Sequence, residues 1–175
     1  MIERIHFRAD QIYMLQALGI LIDRAMDLLQ RDWLVVYEWV CTYIPTELDP
    51  GIREKLWKTA YINSDLSRAL IVDRAFLVGM LDGTRPIFEW LQVSVPRHEV
   101  YCLDPTFSWP GANGFSVLWS NPPVLQDPQS DIEFTVFDCA EALVTYRSSA
   151  LPYWDPSSAL RKTKVKRGEY STIEW

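Results

Sequence analysis

The sequence predicts an α+β fold, with a helical N-terminal half packed on a mostly antiparallel sheet formed by the C-terminal half. Two observations carry this. Up to about residue 82, apolar residues recur at three- and four-residue steps, the spacing that keeps them on one helix face. After Gly83, proline, glycine and asparagine cut the chain into short apolar runs, the texture of strands and turns. The 175 residues fit one domain, 1–175, with no internal repeat or low-complexity segment.

The first helix is expected from about Asp10 to Arg31, where Ile12, Leu15, Leu18, Ile22, Met26 and Leu29 form one stripe. A second stripe, Trp33, Val36, Tyr37, Val40, Cys41 and Ile44, predicts another helix, ended by Pro45. Asp49-Pro50 opens a third, with a capping acceptor and a proline preset for the first turn. Leu66–Leu81 is read as a fourth, stopped by Asp82-Gly83; two short strands around Asp73-Arg74 are the alternative. Strands are expected at Ile87–Val95, Glu99–Leu103, Phe115–Ser120 and Ile132–Phe137. Asp138 and Glu141 have capping-box spacing and predict a helix to about Ser149. Tyr170–Trp175 is a possible last strand.

Composition excludes several classes. With 49% apolar and 23% charged residues the chain is neither disordered nor collagen-like, and three cysteines do not make a disulfide scaffold. Cys41, Cys102 and Cys139 are an odd set with no CxxC, so reduced, inessential thiols are expected. Arg4, His6 and Arg8 precede an apolar run as in a signal peptide, but Glu3 and Asp10 interrupt the basic region and no small-residue cleavage site follows. Gln11–Ile22 is too short to span a bilayer, which takes roughly 20 residues. A soluble cytoplasmic protein is the expectation.

No catalytic residue, metal or cofactor is assigned. His98-x-x-x-Cys102 reads as a loop histidine and a strand cysteine. Cys139 lies at an expected helix start, but Asp138 beside it opposes a thiolate. Gly111-Ala112-Asn113-Gly114 lacks the Lys and Ser/Thr of a phosphate cradle and reads as a tight turn. The carboxylates Asp127, Asp131, Glu133, Asp138 and Glu141 could hold Mg²⁺ or act as acid and base. Asp131 and Glu133 would share a strand face, and the set is read as a solvated acidic edge.

Charge placement says more. Residues 1–160 carry a net −9 and residues 161–175 a net +3. The basic tail, Arg161 to Arg167, could touch RNA, fold back on the acidic body or be a solvated edge, the commonest case, and Lys162, Lys164 and Lys166 alternate as in an edge strand. Between Arg97 and Arg147 there is no Lys or Arg, while seven acids and eight aromatics fall in that stretch. Such a surface suits a basic partner, because opposite potentials speed encounter and large rings supply buried contact. The expected partner-binding residues are Asp104, Phe107, Trp109, Trp119, Asp127, Asp131 and Glu133. The net acidity argues against DNA binding.

These features point to a small acidic cytoplasmic protein that neutralises a basic protein partner, a toxin enzyme for instance. By analogy of size and acidity, that is the immunity-protein or antitoxin type. A carboxylate-based, Mg²⁺-dependent hydrolase is the alternative, and a self-associating viral or phage structural protein a third.

Overall fold

The computed structural model describes residues 1–8, 11–43, 50, 70–83, 87–98, 118–137, 141–156 and 158. The elements run β1 (Ile2–Arg8), α1 (Gln11–Leu29), β2 (Trp33–Tyr43), β3 (Leu70–Asp73), α2 (Arg74–Gly83), β4 (Ile87–Pro96), β5 (Ser130–Phe137) and β6 (Glu141–Arg147). The six strands form one antiparallel sheet in the order β1-β6-β5-β4-β2-β3. The α+β class therefore stands. The helical N-terminal half does not, since β1, β2 and β3 all come from it.

Helix α1 forms where the stripe predicts it. Leu15, Leu18, Ile22 and Met26 are buried, joined by Met14, Ala17, Leu21 and Ala25. Its end is a two-bond cap. Gln30 takes a left-handed φ of 53°, and the N–H groups of Gln30 and Arg31 donate to the carbonyls of Asp27 and Met26 at 3.2 and 2.9 Å. Helix α2 starts at a side-chain cap, with Asp73 Oδ1 accepting from the N–H groups of Ala75 and Phe76 at 2.8 and 3.2 Å. Gly83 ends it as expected. Arg74 then ties the two helices together by pairing with Asp23 and Asp27, each at 2.6 Å.

One face of the sheet meets these helices. Leu34 and Val36 of β2, Leu91, Val93 and Val95 of β4, Ile132, Phe134 and Val136 of β5, and Ala142, Val144 and Tyr146 of β6 share one core with α1 and α2. Trp154 closes one end of it, edge-on to Tyr146 and Phe134.

Three expected helices are corrected. Residues 33–43 form β2; nearly every position there is apolar, so a helical stripe can be drawn through a run whose β-branched and aromatic content favours a strand. Of the segment Leu66–Leu81, the described residues from Leu70 divide at Asp73 into β3 and α2, so the first strand of the alternative reading is present and the second is not. Residues 141–147 form β6, with Ala142, Leu143, Val144, Thr145 and Tyr146 all buried. A strand covered on both faces shows no alternation, which is why the capping-box spacing misled. Of the expected strands, Ile87–Val95 and Ile132–Phe137 are present as β4 and β5. Of the strand expected at Phe115–Ser120, the described residues Leu118, Trp119 and Ser120 are not in a strand. The helix from Asp49, the strands at Glu99 and Tyr170, the glycine-rich turn, Cys102, Cys139 and the basic tail lie outside the described residues, Pro50 excepted.

Candidate functional site: a polar sheet face under a strap

The second face of the sheet is built differently. Strand alternation places Trp90, Gln92 and Ser94 of β4 opposite Leu91, Val93 and Val95, and the register carries that face across β5, β6 and β1. Three cross-strand rows result. Ser94, Glu133, Thr145 and Arg4 form the first; Gln92, Thr135, Leu143 and His6 the second; Trp90, Phe137, Glu141 and Arg8 the third. Gln92, Ser94, Glu133, Thr135 and Thr145 are buried despite their polarity.

Residues 118–129, here called the strap, are held onto the first row from both ends of a charge pair. The N–H groups of Gln126 and Asp127 donate to Glu133 Oε2 and Oε1 at 3.0 and 2.6 Å. Arg4 Nη1 and Nη2 donate to the carbonyls of Ser120 and Val124 at 2.9 and 3.4 Å, and its Nε to Thr145 Oγ1 at 3.2 Å. A carboxylate thus holds strap amides while a guanidinium holds strap carbonyls.

Burial pushes the Glu133 carboxyl up to about 8, against the strap amides and Arg4, which favour the ionised form. The same burial lowers the Arg4 guanidinium from its ordinary value, with the Glu133 charge opposing. At the other end of the face, Trp119 stands edge-on to His6 at 5.2 Å and stacks on Phe137 at 6.3 Å, while Glu141 pairs with His6 and Arg8.

The expected partner-binding residues divide accordingly. Trp119 is on the surface, 43% exposed. Asp127, Asp131 and Glu133 are not the solvated edge expected of them, at 0%, 7% and 2% exposure. Asp127 accepts from the Gln129 N–H and the Ser130 hydroxyl at 2.8 and 2.9 Å, closing the turn into β5. Asp131 lies between Arg97 and Arg147 at 3.3 and 3.7 Å. A buried carboxylate must be paired, hydrogen-bonded or protonated, and each of these three satisfies that condition inside the chain. Asp131 and Glu133 do share a strand face, as the spacing implies. Asp104, Phe107 and Trp109 lie outside the described residues.

Arg4, Gln92 and Thr145 escaped the sequence reading. For Arg4 a signal existed: Ile5 and Phe7 alternate with Arg4, His6 and Arg8, a strand pattern in a segment weighed only as a leader. No helix among the described residues is long and apolar enough to cross a membrane, and none of their His, Cys, Asp and Glu side chains cluster as a metal-holding group of three.

Fold and face together define an α+β protein whose antiparallel sheet carries helices on one side and a latched strap on the other. No protein-family model, curated protein or solved structure matches the chain.

Proposed function

We propose that this chain is an acidic binding protein that neutralises a basic protein partner in the cytoplasm, as an immunity protein or antitoxin does. The observation that carries the reading is how charge is spent. The whole chain carries 17 Lys and Arg against 23 Asp and Glu, a net −6, and the described residues contain seven arginines against thirteen acids. Every one of those arginines donates or pairs within the chain: Arg4 to the strap, Arg8 to Glu141, Arg24 and Arg74 to α1 acids, Arg31 to backbone carbonyls, Arg97 and Arg147 to Asp131. Acids such as Asp32, Asp73, Asp82 and Asp155 remain exposed, so the outward field is negative and attracts a cationic surface. Trp119 offers the ring, with Pro122 and Val124 exposed beside it on the strap. Asp127 and Glu133 act in this reading by fixing the strap, and Asp131 by ordering the start of β5. Phe107, Trp109 and Asp104 stay in the proposed contact set.

The test is capture from a lysate of the source organism at low and high salt, followed by kinetics against the purified partner. A basic protein is expected, with association that slows as salt rises. Trp119→Ala should speed dissociation about 30-fold, the equivalent of about 2 kcal/mol for a hot-spot ring. A neutral or acidic partner, salt-independent association, or an unchanged Trp119→Ala refutes the proposal.

One observation favours the hydrolase alternative: a carboxyl pushed up to about 8 by burial, as at Glu133, has the form of a general acid. Both its oxygens already serve the strap, which makes the latch the better account. Mg²⁺-dependent turnover abolished in Glu133→Gln would reverse that ranking.

A further inference from the structure

The strap is anchored at its ends and clamped in its middle. At one end Leu118 is buried against Trp90 and Leu143. At the other, Asp127 is fully buried in the turn into β5. There the Arg97 N–H donates to the Gln129 carbonyl at 2.7 Å and Arg147 Nη2 to that of Pro128 at 3.1 Å. Between these anchors every residue from 119 to 126 is exposed or half-buried. Side chains of the sheet hold this middle segment: Arg4 takes the carbonyls of Ser120 and Val124, and Glu133 the N–H of Gln126 with that of Asp127 beside it. The floor under the clamp is polar, since Ser94, Glu133 and Thr145 make up its buried row. Local opening is cheapest where little apolar surface is covered, and water admitted here meets hydroxyls and a carboxyl.

The charges around the clamp supply a trigger. Burial disfavours an ionised Glu133, and the Asp127 carboxylate on the strap adds like-charge repulsion; the two strap amides and Arg4 of β1 oppose them, and the net effect pushes the carboxyl up to about 8. On its own strand, Asp131 is paired with Arg97, just past β4, and with Arg147 of β6. The neighbours in the row, Ser94 and Thr145, are neutral. Raising the middle of the strap removes the cover that buries Glu133 and moves no strand of the sheet. We propose that residues 119–126 lift from the sheet as one unit when Glu133 ionises, while both anchors, the sheet and the helices stay in place. The device belongs to the fold and holds whatever binds the outside of the strap. With the strap lifted, Glu133 loses its proton as an exposed carboxyl does, at 4.5; with the strap down it keeps the proton up to about 8. The lifted state binds fewer protons between those values, so its population rises up to about tenfold per pH unit there and then levels off.

Amide hydrogen exchange of the whole protein from pH 5 to 9, with and without dilute urea, tests this. Protection is expressed relative to an unfolded chain at each pH, which removes the base catalysis of exchange itself. The Gln126 and Asp127 amides, which the clamp holds, should lose up to about tenfold in protection per pH unit as far as about 8, and no more above it. At each pH dilute urea should leave these two unchanged while it lowers the protection of the β4–β5–β6 ladder amides, because lifting exposes little surface and unfolding exposes much. In Glu133→Gln the protection of the strap amides should be independent of pH. Protection of Gln126 and Asp127 that does not change with pH in the wild type overturns the proposal. So does urea sensitivity equal to that of the ladder, which would mean that the strap opens only when the whole chain unfolds. Both of these readings come from the wild type, so they decide the matter even if Glu133→Gln does not fold.

Discussion

Glu133→Gln should invert the order of stability between wild type and variant as pH rises. In the folded chain burial holds the Glu133 proton up to about 8, whereas an exposed carboxyl loses it at 4.5. Between those values the folded state binds more protons than the unfolded one. The stability contributed by the protonated form is therefore complete below 4.5 and lost as pH climbs through about 8. Each pH unit in that window costs up to about 1.4 kcal/mol, and the whole window sets a ceiling on the order of 5 kcal/mol. Glutamine cannot titrate, so it escapes this loss. It has its own penalty, because Glu133 accepts from the amides of Gln126 and Asp127 through different oxygens. One of those acceptors becomes an NH₂, which cannot accept, whereas the hydroxyl oxygen of a protonated carboxyl still can, so the substitution costs about 1–3 kcal/mol. Wild type should thus be the more stable near pH 5 and the variant near pH 9. Urea unfolding of both proteins across that range, at constant ionic strength, measures the difference, and the other acids cancel in it. Parallel pH profiles would refute the reasoning, because they would mean that Glu133 ionises as an exposed carboxyl does.

Ile22→Ala empties a fully buried site between α1 and the sheet and should cost about 2–5 kcal/mol in denaturant unfolding. Asp73→Ala removes the acceptor for two amides at the start of α2 and should cost about 1 kcal/mol, read as a lower midpoint at unchanged m-value. Gly19→Ala should stabilise by about 0.5–1 kcal/mol, read as a rise in Tm. The new methyl would meet Leu81 Cβ at 3.6 Å, an ordinary contact, while the helix interior gains a better helix former.

What was legible in the sequence follows from how many faces each element buries. Helix α1 has one buried stripe and a polar back, so its period is visible and points to Leu15, Leu18, Ile22 and Met26, all of them buried. Strand β4 could be found because Gly83 and Pro86 precede it and Pro96 ends it. In β2 and β6 the pattern was lost: residues such as Val35 and Val36, or Leu143 and Val144, are buried on opposite faces, and continuous apolarity fits either period. The site was obscured for a related reason. Glu133 and Asp131 alternate with Ile132 and Phe134 as if facing water, and only the strap and the flanking arginines reveal that the acids are inside. Nothing local to residues 127–133 announces a guanidinium that arrives from residue 4.

The pairing of β1 with β6 joins Ile2 to Arg147 and so constrains the order of events during synthesis. At roughly 5–20 residues per second, α1 is complete on the order of ten seconds before β5 and β6 have been made. Through that interval its apolar face lacks Ile132, Phe134, Val136, Ala142 and Val144, which complete the core. Arg4, among the first residues made, thus waits for the strap it secures until residues 118–129 have followed.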